Sequence, residues 1–342
     1  MLNNSTIMLK NSRLLLIIKT NKGVINMNNF KKIGLTALGT SLIASSAYAG
    51  ALSVSGSASI TFSGNDSGTG GNGWSMSDSV TFSGGGEMDN GFNVTASYEL
   101  DNNENAATAA MDSYSLKIDT NGMGVITFSG HGGSSAQSAV DDMASGDIWD
   151  NGFSATGAPT SSTSDNSIGY ALPSLMDGLA VNVSYVPHTS TQYEGTFDWA
   201  VAYTGFEGLT VGFASGENKT TKGSEADVST YYATYAYGPI TVAFAETEYD
   251  SEATGTSADH DFTAYSVAYT VTDEISVAYK VADLSTPNAS GDVDQEVNGV
   301  TASYTAGGMT ISGKMINADN VAFASAATSD QSMWELAASF AF

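Results

Sequence analysis

Trp334-Glu-Leu-Ala-Ala-Ser-Phe340-Ala-Phe342 alternates apolar and small or polar residues up to its last position. Trp334, Leu336, Ala338, Phe340 and Phe342 fall on one parity. A β-strand sends alternate residues to opposite faces, so this strand is apolar and aromatic on one side and carries Glu335 on the other. It closes on a bare phenylalanine. A soluble fold has to hide such an end in its core. A strand facing hydrocarbon leaves it where it is, so the pattern predicts a β-barrel in a membrane.

The same alternation recurs along the chain. Phe92, Val94, Ala96, Tyr98 and Leu100 share a face, as do Leu179, Val181, Val183 and Tyr185, and Ile275, Val277, Tyr279 and Val281. Short alternating runs between turn signals read as strands. Sixteen are expected, near 51–63, 74–86, 91–100, 111–120, 123–130, 166–173, 178–187, 196–205, 208–215, 228–238, 239–248, 261–271, 274–282, 296–306, 308–317 and 332–342. A soluble sandwich also alternates, so the connections have to decide. Seven are tight, among them Asp89-Asn-Gly91, Thr120-Asn-Gly122 and Gly238-Pro239, and such dipeptides mark hairpin turns. Eight are longer, polar and acidic. Seven short and eight long connections describe an all-β, 16-stranded antiparallel up-and-down transmembrane barrel with both ends on the short-turn side. Sixteen strands leave a water-filled lumen. A mean hydropathy of −0.07 fits, because only alternate residues need be apolar.

Charge is divided along the chain. Lys10, Arg13, Lys19, Lys22, Lys31 and Lys32 are six of the eleven basic residues, and all 36 acidic residues follow residue 50. Met27-Asn-Asn-Phe-Lys31-Lys32, the apolar run 33–43 and Ala47-Tyr48-Ala49 form the three parts of a secretory signal peptide. Residues 27–49 are therefore expected to be removed after Ala49, leaving a barrel domain over 50–342. Residues 1–26 read as an extension preceding the true start at Met27, or as part of an extended signal. From Gly50 onward five lysines stand against 36 carboxylates, a formal charge of −31, with no arginine and no cysteine. Such a chain repels nucleic-acid phosphates and attracts cations. Without cysteine it has neither disulfides nor thiolate metal sites.

Over residues 27–342 the chain resembles the general bacterial porin family, closest to its alphaproteobacterial type. Four features carry the resemblance: a strand beginning just past the signal (Ala51-Leu-Ser-Val-Ser-Gly), Gly124-Val-Ile-Thr-Phe-Ser-Gly130 leading into the longest loop, Asp165-Asn-Ser-Ile168-Gly-Tyr170 following it, and the terminal Phe342. The resemblance implies an outer-membrane homotrimer of channels for passive diffusion of small hydrophilic solutes, lying among lipid and lipopolysaccharide. It implies that the long loop, roughly 131–165, folds inward as a constriction, and that Phe342 is an assembly signal read by the barrel-assembly machinery. A loop of that length is usually functional in any case.

In a pore the filter is set by residues at the narrowest section. The loop supplies Asp141, Asp142, Asp147 and Asp150, with Trp149 and Met143 as candidate anchors. Parity places Lys117, Lys280, Lys314, Glu99 and Glu335 on the lumen face, since a lysine against lipid at mid-depth costs about 2–4 kcal/mol. Pores of this family oppose loop carboxylates with a cluster of arginines and lysines, and this chain departs from that. An acidic, cation-preferring lumen is expected, against the alternative that external-loop acids leave the filter nearly neutral. Asp259, Asp261, Asp292 and Asp294 are candidate calcium ligands or simply solvated charges. No cofactor is required. An enzymatic barrel would need a histidine fixed beside an acid or serine, and with only His131, His188 and His260 no enzyme is expected. A substrate-specific outer-membrane channel is the alternative function.

Overall fold

The computed structural model describes residues 52–342 apart from 67–72, 102–110, 147, 150–154, 162–164, 188–193, 220–224, 254–258, 287–292 and 326–328. The strands are β1 (Ser53–Asn65), β2 (Gly73–Glu87), β3 (Asn93–Asp101), β4 (Met111–Asp119), β5 (Val125–His131), β6 (Ser167–Ala171), β7 (Leu179–Val186), β8 (Thr196–Phe206), β9 (Leu209–Asn218), β10 (Ala226–Tyr237), β11 (Ile240–Ser251), β12 (His260–Thr270), β13 (Ile275–Ser285), β14 (Gln295–Ala306), β15 (Met309–Asp319) and β16 (Gln331–Ala341). They form a closed barrel in which every strand pairs with its neighbours in sequence and β1 pairs with β16. The expected strand ends differ from these by at most three residues. The largest differences, at the loop ends of β9, β11 and β13, arise because the ladder continues through polar residues after the apolar alternation has stopped. Glu217 and Asp250 both pair with Asp227, for example.

The apolar face points outward. Leu52, Phe62, Trp74, Met315 and Phe342 are among the large hydrophobic residues left uncovered. Met315 and Phe342 are each 71% exposed, which in water would be a severe cost and in hydrocarbon is none. Closure by the β1–β16 pair leaves no edge strand, as a bilayer requires. The tight turns need left-handed backbone, and Asn121 (φ 54°) followed by Gly122 (φ 109°) supplies it between β4 and β5. Asp119 Oδ1 accepts from Asn121 N at 2.9 Å and fixes that turn.

At the barrel seam, Gly56 N donates to Phe342 O at 2.8 Å and Phe342 N donates to Gly56 O at 2.9 Å. The Phe342 ring lies over Gly56 so closely that a Cβ there would meet ring carbon at 2.7 Å and Ser79 O at 2.7 Å. Phe342 is therefore the last rung that closes the cylinder. Its deletion is expected to lower the yield of heat-modifiable barrels on gels while leaving the conductance of those that form unchanged. Normal yield without Phe342 would refute this role.

The other end of the seam is held by Asp66. Its carboxylate accepts from Ser332 N at 2.6 Å and from Ser332 Oγ at 2.9 Å. These two bonds hold the Asp66 carboxyl below its ordinary value. A depressed folded pKa contributes stability above the unfolded value, and that contribution is lost as pH falls through the folded value. Barrel melting temperature is expected to drop on acidification below about pH 4. Asp66→Asn should flatten that acid limb; an identical acid profile in the variant would exclude Asp66 as its source.

Candidate functional site: the lumen and its inward loop

Inside the barrel, described residues of the chain between β5 and β6 contact the wall from β7 to β15. The stem of this loop is closed by His131 Nδ1 and Asp165 Oδ1 at 2.9 Å, with Gly132 N donating to the same oxygen at 3.2 Å. From there a short 3-10 turn, Ser138–Val140, leads to a second turn in which Gly146 N donates to Asp142 O at 2.8 Å.

The loop is fastened by two kinds of contact. The first is a polar seam. Ala136 N donates to Ser184 Oγ at 2.8 Å, and Gln137 Nε2 donates to Thr230 Oγ1 at 3.0 Å. Gln137 Oε1 accepts from Ser161 N at 2.7 Å, and Ser161 Oγ donates to the buried Asp198 at 2.5 Å. Gln295 clamps Thr156, accepting from its N at 3.0 Å and donating to its O at 2.8 Å. The second is an apolar cluster. Ala144, Ile148 and Trp149 of the loop pack against Phe262, Leu284, Val297 and Ile316, which project inward from β12–β15. Trp149 meets Phe262 edge-to-face with ring centroids 5.2 Å apart, a preferred aromatic geometry. The described loop residues thus dock on the β7–β15 side of the lumen, and the apolar cluster extends to Met333 of β16.

The inner wall of β1 and β2 is lined with hydroxyls. The inward residues of β1 are Ser53, Ser55, Ser57, Ser59, Thr61, Ser63 and Asn65, and β2 adds Ser75, Ser77, Ser79, Thr81 and Ser83. Cross-strand pairs knit them together: Ser57 and Ser79 at 3.1 Å, Ser59 and Ser77 at 2.7 Å, Ser83 and Ser97 at 3.0 Å. A strong cationic strip is missing from these strands.

The inward lysines occur elsewhere. Lys314 Nζ lies 3.0 Å from Glu335 Oε1, both inward as parity required, so each neutralises the other. Lys280 reaches the loop, where a Cβ on Gly146 would stand 3.1 Å from its Nζ. Lys117 sits level with Thr95 and Thr127 and makes no ion pair with any described residue. Glu99 accepts from Ser113 Oγ at 3.0 Å. Asp141 and Asp142 are half-buried on the loop. Asp147 and Asp150 lie outside the described residues. Trp149 is an anchor, whereas Met143 stays exposed and anchors nothing.

The expected calcium ligands are placed differently. Asp259 Oδ1 accepts from Ser251 N at 3.0 Å. Asp261 shares its outward face with Tyr265, and with Asp294, Asp283, Glu296 and Asp319 it lines a recess at the loop end of the outer wall. Asp292 lies outside the described residues. No three histidine, aspartate or glutamate side chains among the described residues come together as a metal site. His260, one residue before the strand expected near 261–271, heads β12 and contacts the rings of Tyr249 and Phe323.

Gln137, Gln295 and Asp198 are the residues that strand parity did not single out. A polar side chain on the inner face looks the same whether it meets water or a loop folded across the lumen.

The architecture recurs in solved structures. Salmonella typhi OmpF, in a complex with daunomycin, superposes with a TM-score of 0.61 at 14% identity, over 85% of this chain and 97% of that one. A multiply substituted Rh. blastica porin gives 0.59 at 16%, over 85% and 100%. Vibrio cholerae OmpT, folded in vitro and in trimer form, gives 0.61 at 16%, over 85% and 99%. At such identities the likeness is one of fold. A comparison with curated protein sequences finds no match. The sequence profile described as Gram-negative porin matches residues 34–310. With most of its length inside that profile, the chain belongs to the Gram-negative porin family.

Proposed function

We propose that this porin is a passive diffusion channel of the outer membrane that passes small hydrophilic solutes and prefers cations. The observation that carries the preference is the hydroxyl wall opposite the acidic loop. Lys314 is spent on Glu335, Lys280 abuts the loop at Gly146, and Lys117 remains as the inward positive charge of β1–β5. No arginine follows residue 50, so no guanidinium group stands in the lumen to offset Asp141 and Asp142. Fixed charge in a narrow lumen acts on ions at distances below the roughly 10 Å screening length, so the deficit of positive charge favours cations.

The same reading makes the protein a homotrimer without enzymatic activity, delivered by a signal peptide over 27–49 and inserted by the barrel-assembly machinery with Phe342 as signal. The trimer form of the V. cholerae neighbour supports the oligomeric state. Planar bilayers holding refolded 50–342 under a KCl gradient test the proposal. A reversal potential on the potassium side is expected. A chloride-side potential would overturn the cation preference, and a silent bilayer would overturn the channel.

A further inference from the structure

Between the loop and the wall of β5–β8 lies a cavity of about 540 Å³, a volume typical of small-molecule sites. None of the described residues lining it carries a formal charge, although the chain as a whole is strongly acidic. Its two sides differ in chemistry. On the wall, Thr127, Ser129 and Asn182 point inward, and none of them makes a side-chain hydrogen bond to another described residue. On the loop, Val140 and Met143 present an apolar surface. At the back stands Gly169, where a Cβ would find its nearest atoms only at 4.0 Å.

We propose that this recess is a binding site for an uncharged, pyranose-sized polyhydroxy solute on its way through the pore. The inference rests on the channel reading above and adds a substrate class to it. A charged solute entering the recess would give up water with no counter-charge to meet it, which is costly. A pyranose has a ring face of C–H groups and an edge of hydroxyls. The ring face matches Val140 and Met143. The hydroxyls exchange water for Thr127, Ser129 and Asn182, close to an even trade in hydrogen bonds. Lumen acids beyond the recess act on passing ions and leave a neutral sugar unaffected, so ion preference and sugar retention are separate properties of one pore.

Potassium current through refolded 50–342 in planar bilayers, titrated with glucose, tests this. In the wild type the current should fall saturably and with excess low-frequency noise. In Ser129→Ala/Asn182→Ala the half-saturating glucose concentration should rise about tenfold. In Gly169→Leu, which fills the recess while keeping Thr127, Ser129 and Asn182 in the sequence, the saturable component should vanish while current without glucose persists. A glucose effect that merely follows bulk viscosity and is equal in all three proteins overturns the site. An absence of current in the wild type is the separate failure of the channel reading.

Discussion

Placing arginine at Ser57 and Ser83 is expected to lower the potassium-to-chloride permeability ratio about tenfold. Both side chains face the lumen, each beside a serine: Ser57 beside Ser79, and Ser83 beside Ser97. Neither has a carboxylate opposite it in register, so the new charges would not be cancelled locally. A unit charge about 4 Å from a passing ion is worth about 1 kcal/mol even at the dielectric of bulk water. Potassium and chloride shift in opposite directions, and a difference of about 1.4 kcal/mol is tenfold. The reversal potential in a KCl gradient reads the ratio directly. Gel mobility before and after heating confirms that the barrel has formed. An unchanged ratio would mean that the filter is set outside the lumen, by the carboxylates of the external loops, and that the hydroxyl wall is neutral filling.

Parity made the barrel legible because lipid imposes a demand on every second residue. Phe340, Leu336 and Trp334 face outward, and their spacing alone shows it. The wall lysine Lys314 was placed by the same rule, and its register partner Glu335 completes an ion pair that no single strand reveals. The loop followed a different logic. Its existence was readable from its length, and its inward course was what the resemblance to porins implied. Its fastenings were not, because Gln137 meets Thr230 across 93 residues of chain and Gln295 meets Thr156 across 139. No periodicity encodes such pairs; they are set by which stretch of wall the loop happens to cross. Phe262 shows the limit most clearly. It stands on the inward parity of β12, where a water-filled lumen would favour a polar residue, and it is 1% exposed because Trp149 covers it. An apolar residue at an inward position was thus the available signal for where the loop lands. Leu284, Val297 and Ile316 repeat that signal on the next three strands.

Trp149→Ala is expected to release the loop while leaving the barrel closed. The indole fills the space between Phe262 and Gly157, where a Cβ on the glycine would overlap the Trp149 ring. Truncating a buried tryptophan costs about 3–5 kcal/mol. Here the loss falls on the loop's docking, because the sixteen-strand ladder contains none of the atoms removed. The polar seam at Gln137 and Gln295 stays in place, so the loop remains tethered but no longer seated. Single-channel recordings should therefore show higher mean conductance and frequent transitions between levels, with heat-modifiable mobility preserved. Phe262→Ala removes the other half of the contact from the wall and should give the same phenotype. Since each substitution removes the same interaction, the double variant should cost less than the two single losses combined. A quiet channel of unchanged conductance in Trp149→Ala would show that the hydrogen bonds of Gln137 and Gln295 hold the constriction alone. In that case Gln137→Leu/Gln295→Leu, and not the aromatic pair, should open the pore.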